Sequence, residues 1–189
     1  MTEPWRGTDV PRTVEVDGST RERILAATAE VLGDNGITKL SLSDVATKAG
    51  VSRPTLYRWF GSKQELLDAF VVWERLFYQR AVAKAYIGLP LSQRLEAALR
   101  VIVEYQQSYP GLRMVDVEPE HVIPSLARII PLMRQQFEAL IPGPDAAIAA
   151  AAVVRVATSH YLVRSDDDDQ FFAQLRHAAG LRYPPATET

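Results

Sequence analysis

Apolar residues recur at helical spacing along most of the chain, and the breaks between them mark the elements. Ile24, Thr28, Val31 and Leu32 share one face of a first helix that Ser19 or Thr20 begins and Asn35-Gly36 ends. In the second, Leu42, Val45, Ala46 and Ala49 form the apolar side, Ser41 is the cap, and Gly50 follows where a helix closes in the left-handed region. A third opens on Ser52 with Pro54 in its first turn, and Val51, Leu56 and Phe60 face inward. Gly61-Ser62 then starts a long helix to Tyr86, roughly 36 Å at the usual rise. Its Leu66, Leu67, Phe70, Val71, Trp73, Leu76 and Phe77 cover more than one face, so it must touch two things at once.

Gly88 and Pro90 end that helix. The next spans 91–109, with Leu95, Ala98, Leu99, Ile102, Val103 and Tyr105 inward, and Pro110-Gly111 breaks it. One or two helical turns are expected over 112–117. A helix over 118–140 is interrupted by Pro124 and Pro131, so it should kink or begin late. Pro142-Gly143-Pro144 is a break, Asp145 caps a helix to about Arg164, and Gly180 closes a last one. No strand-like alternation or internal repeat interrupts this pattern, which makes the chain all-α.

The second and third helices, joined by a short turn containing Gly50, have the form of a helix-turn-helix, whose second helix enters the major groove of DNA. Charge supports this. From Ile37 to Lys63 the bases are Lys39, Lys48, Arg53, Arg58 and Lys63 against the single acid Asp44, a net of +4 in a chain of net charge −2. A local basic patch on an acidic protein is the footprint of a phosphate-binding face. Arg21 and Arg23 stand at a helix N-terminus, where the dipole disfavours cations; contact with a DNA backbone and plain solvation account for them equally.

Composition narrows the rest. With 189 residues, 47% of them hydrophobic, the chain is long enough to bury a core as one or two domains. It has no cysteine, which excludes disulfides and thiolate zinc and fits the cytoplasm. The first twenty residues lack the apolar run of a signal peptide, and AAIAAAAVV from Ala146 is far short of the roughly 20 residues of a membrane span. Asp166 to Asp169 read as acids favoured at a helix N-terminus, without the alternating ligands and Gly of a calcium loop. His121, His160 and His177 lie on separate helices, so no metal site is expected, and no cofactor. Ser159-His160 lacks a nucleophile elbow and an orienting acid, so an enzyme has no support.

The stretch TRERILAATAEVLGDNGITKLSLSDVATKAGVSRPTLYRWFGSKQELLDAF resembles the N-terminal domain of the TetR family of bacterial repressors. VSRPTLYRWFGSKQELL is its specific portion: a Leu-Tyr pair, aromatics two and three places later, then Lys before a new helix. SYPGLRMVDVEPE is similar to some members, and the remainder matches in length and helical layout only. The chain reads as disordered tails over 1–19 and 182–189, and the resemblance implies a DNA-binding domain over 20–65 and an effector-binding and dimerisation domain over 66–181.

Carried over by position, Ser43, Arg53, Thr55, Tyr57, Trp59 and Lys63 match DNA-facing places of the family motif. Tyr57 and Lys63 are expected on phosphates, and Arg53 and Thr55 on base edges of a double-stranded operator. Trp59 departs from the His or Tyr often found there. Trp73, Phe77, Tyr78, Tyr105, Met114, His121 and Phe137 are the candidates for lining an effector pocket, although aromatics and methionines at helical spacing are more often plain core. That lining implies a small, largely apolar effector. The last two helices are expected to pair with those of a second copy as a four-helix bundle, and the long helix would act as the lever. The implied whole is a homodimeric repressor released from a palindromic operator. The rival is a small-molecule-binding or protein-interaction module that no longer reads DNA.

Overall fold

In a computed structural model of the chain, the structure describes residues 19–163 and 168–181. The ordered elements there are all helical: α1 Thr20–Asn35, α2 Leu42–Lys48, α3 Arg53–Trp59, α4 Lys63–Ala85, α5 Leu91–Ser108, a 3-10 turn Pro110–Arg113, α6 Met114–Val117, α7 Pro119–Glu138, α8 Ala146–Leu162 and α9 Asp168–Ala178.

The short helices are fixed by their first residues. The Ser19 hydroxyl accepts the Glu22 N–H at 3.1 Å, that of Ser41 accepts the Ser43 N–H at 3.1 Å, and that of Ser52 accepts the Thr55 N–H at 3.2 Å. Each satisfies one of the orphan donors of a helix start. At α4 the arrangement is reciprocal. Ser62 accepts the Glu65 N–H at 3.1 Å, while the Glu65 carboxylate reaches back to the Gly61 N–H at 2.9 Å. Gly50 adopts the positive φ expected of it, +64°, and Gly36, which ends α1, has a φ of +74°.

Two expectations need correction. Asp145 makes no side-chain cap to α8. The helix after α6 does not begin late, since α7 starts at Pro119 and runs through both Pro124 and Pro131. Each proline removes the bond to the carbonyl four residues back, on Glu120 and Ala127, and both of those residues are exposed, where water replaces the lost donor. Val122 and Phe137 are buried on the other side, and Ile130 and Met133 are partly buried, so burial carries the helix past its breaks. Asp166 and Asp167 and the two tails lie outside the described residues.

By internal packing the chain divides into two units: Met1–Ala81 with Gln107–Pro119, and Val82–Gln106 with Glu120–Thr189. In the first, α1 packs on α2, on the 3-10 turn and on α6, and α2 packs on α3. Ile24, Leu25, Leu56 and Leu66 are fully buried there, and the buried Thr28 hydroxyl donates to the Ile24 carbonyl at 2.8 Å. In the second, α8 packs on α9 around a core of Leu95, Leu99, Ile102, Phe137, Val153 and Leu175. Polar contacts hold its rim: Gln106 donates to the Ala157 carbonyl at 2.9 Å, and Arg176 pairs with Glu96 at 2.5 Å.

Candidate nucleic-acid interface

Helix α3 buries Leu56 completely and turns its other residues outward. Arg53, Pro54 and Arg58 are exposed, and Tyr57 and Trp59 are 54% and 45% exposed. Two large aromatics left in water on a seven-residue basic helix are an unusual surface for a helix with no further role. Thr55 is half-buried and its hydroxyl lies 2.8 Å from that of Ser52, which fixes its rotamer at the start of the helix. Ser43, also half-buried, is on α2; its carbonyl accepts the Thr47 hydroxyl at 3.0 Å. The Arg21 guanidinium lies 5.8 Å above the Phe60 ring, packed against the end of α3, whereas Arg23 is exposed.

Not all of the basic patch faces outward. Lys48 pairs with Glu30 at 2.7 Å, and that carboxylate holds its ammonium above the usual lysine range. Lys63 is half-buried, and its ammonium donates to the Ile37 carbonyl at 2.5 Å and to that of Thr38 at 3.2 Å. The exposed cations of the stretch are Lys39, Lys48, Arg53 and Arg58, of which Lys48 is the one paired with Glu30.

Residues 24–70 match the family profile described as "Bacterial regulatory proteins, tetR family". That stretch is a DNA-binding domain of the TetR family type. The chain is 44% identical over 57 residues to the HTH-type transcriptional regulator EthR of Mycobacterium tuberculosis, a match covering 30% of this chain and 26% of the relative. It is 30% identical over 119 residues to the HTH-type transcriptional activator FasR of Mycolicibacterium smegmatis, covering 58% of this chain and 49% of that one. A TetR-like transcriptional regulator of Rhodococcus sp. RHA1 superposes with a TM-score of 0.61 at 24% identity, covering 85% of this chain and 93% of that one. The likeness to that structure is one of fold. The chain spans between a quarter and a half of the length of these curated relatives. They are transcriptional regulators rather than enzymes.

The candidates for an effector pocket are not one group. Trp73, Phe77, Tyr78 and Met114 belong to the first unit, and Tyr105, His121 and Phe137 to the second. In the first, Trp73 stacks on Phe77 at 5.4 Å between centroids, and Phe77 on Tyr109 at 5.8 Å; Tyr78 and Met114 are half-buried. In the second, Phe137 is fully buried in the core and His121 is exposed, 3.9 Å from Glu120. Tyr105 is half-buried.

Two acids of the first unit escaped the sequence reading. One is Glu118, which is buried. Glu74 follows Trp73 on α4, and burial pushes its carboxyl up to about 7, against a smaller opposing effect of the Tyr109 hydroxyl beside it. Because the folded value is the higher one, the stabilisation by the neutral acid is complete below about pH 4.5 and is lost as pH rises through 7. Between pH 5 and 8, wild type should therefore lose about 2–3 kcal/mol relative to Glu74→Gln. Urea unfolding of both proteins across that range checks this, and parallel pH profiles would contradict it.

Among the described residues no helix is long and apolar enough to cross a membrane.

Proposed function

We propose that this TetR-family regulator is a homodimeric repressor that reads a near-palindromic operator with α3 and leaves it when a small, largely apolar molecule binds. The outward face of α3, with Arg53, Tyr57 and Trp59 exposed beside the buried Leu56, is the observation that carries the DNA reading. Two copies related by a two-fold axis would present two such helices to inverted half-sites about one helical turn apart. Arg53, at the start of α3, is assigned to a base edge, most simply guanine; Tyr57 is assigned to phosphate and Trp59 to a sugar or a thymine methyl. The second copy is assigned to the outer face of α8, where Ala147, Ile148 and Arg155 are exposed beside Ala151 and Ala152.

The effector is assigned to the aromatic stack on α4, around Trp73 and Phe77. This helix of 23 residues, about 34 Å long, passes from the first unit into the second. A ligand there acts only through its differential affinity for two positions of the helix.

Selection of bound sequences from random DNA tests the DNA reading. Wild type should enrich an inverted repeat. Arg53→Ala should cost about 1–3 kcal/mol per half-site and relax preference at one base pair of each. Enrichment of an unpaired site, or an unchanged preference in the variant, would contradict the assignment.

A further inference from the structure

The turn between α1 and α2 is held on both sides of its backbone. The Ile37 N–H donates to the Glu118 carboxylate at 2.7 Å, and the Thr38 N–H to its two oxygens at 3.0 and 3.3 Å. The carbonyls of the same two residues accept the Lys63 ammonium, at 2.5 and 3.2 Å. Three successive peptide groups thus lie between a carboxylate and an ammonium, and the middle one, the Ile37 carbonyl with the Thr38 N–H, is held at both ends with its dipole pointing the right way.

The arrangement is built in, because Glu118 is only 7% exposed. A buried carboxylate is costly unless its oxygens are taken up, and here backbone donors take them. The backbone makes room for it: a Cβ on Gly36 would stand 2.4 Å from the Glu118 carboxyl carbon. The segment that carries Glu118 is anchored to α1 a second time, by Arg113 on Asp34 at 2.6 Å.

The turn so held leads directly into the Ser41 cap of α2, and α2 packs on α3. We propose that Glu118 is a positioning residue for DNA reading. With Lys63 it clasps the α1–α2 turn and so sets the attitude of α2 and α3, and Lys63 serves this clasp instead of a DNA phosphate. The proposal rests on the DNA reading above.

The test uses the full chain and the operator that wild type selects. Glu118→Gln keeps the shape but sets an amide NH2 where an N–H needs an acceptor. It should keep the helical circular dichroism and lose about 10- to 100-fold in operator affinity, the effect of a buried donor left without its partner. The slope of log affinity against log salt should not change, because no phosphate contact is lost. Hydrogen exchange at the Ile37 and Thr38 amides should accelerate at least about tenfold. Lys63→Met, which keeps most of the stem and drops the charge, should weaken binding at an unchanged salt slope. A slope reduced by about 1 per half-site in Lys63→Met would return Lys63 to phosphate and overturn its part in the clasp. Operator affinity equal to wild type in Glu118→Gln would overturn the role of Glu118. A wild-type protein that selects no DNA would instead sink the functional reading, and the exchange rates would then still decide whether the clasp exists.

Discussion

Gly33→Ala should destabilise the protein by about 2–3 kcal/mol, lowering the melting temperature by roughly 5–10 °C in a chain of this size. The sign is what makes the result informative. Inside a helix, alanine is ordinarily favoured over glycine by about 1 kcal/mol, so propensity alone expects stabilisation. Gly33 lies in α1 at a buried position, and a Cβ there would stand 2.1 Å from the Pro110 carbonyl oxygen and 3.0 Å from its carbon. The obstacle is backbone and cannot rotate away. Either α1 or the 3-10 turn must move, and the contacts beside it, Asp34 on Arg113 and Glu118 on the α1–α2 turn, would be disturbed with it. Thermal unfolding decides the matter. A variant as stable as wild type or more so would show that the close approach of α1 and the turn does not hold in solution.

Ile148→Glu should break the proposed dimer while leaving each protomer folded. In the single chain Ile148 is 73% exposed, so a charge there has no effect on protomer packing. In a two-fold interface through α8 the same substitution buries a carboxylate on each side without a partner, at about 3–5 kcal/mol for each such charge. The dimer dissociation constant should rise by at least about a thousandfold. Operator affinity should fall with it, because one protomer engages one half-site. Sedimentation equilibrium measures the first effect and DNA titration the second. A variant that remains dimeric at the wild-type concentration would place the interface elsewhere.

What was legible in the sequence was local. Ser41 and Ser52 cap their helices because a cap needs only the residue and an N–H two or three places on. Gly36 and Gly50 were readable for the same reason. The all-α class followed from spacing alone, and the likeness of the DNA-binding domain to the TetR family from the stretch around α3. Asp145 failed as a cap, since the preference describes many helices and does not bind any one of them. The prolines of α7 did not delay its start, because their cost depends on whether water reaches the freed carbonyls, which is a property of the packed helix.

The candidate interface was legible in outline but not in its wiring. Counting charges from Ile37 to Lys63 gave a basic patch, yet Lys48 pairs with Glu30 and Lys63 turns to the backbone at Ile37 and Thr38. Glu118 reaches the α1–α2 turn from about eighty residues away, and no local pattern announces such a contact. Phe137, read as a pocket candidate, is enclosed in the second unit's core, which helical spacing cannot tell from a pocket wall.

The central claim is that two copies of α3 read one symmetric operator. Hydroxyl-radical footprinting of the purified protein on the DNA upstream of its own gene tests it most directly. The account expects two protected patches on each strand, related by a dyad and about one helical turn apart, appearing together at a single protein concentration. A single patch without a dyad, or protection that spreads evenly along the DNA and vanishes at moderate salt, would contradict it.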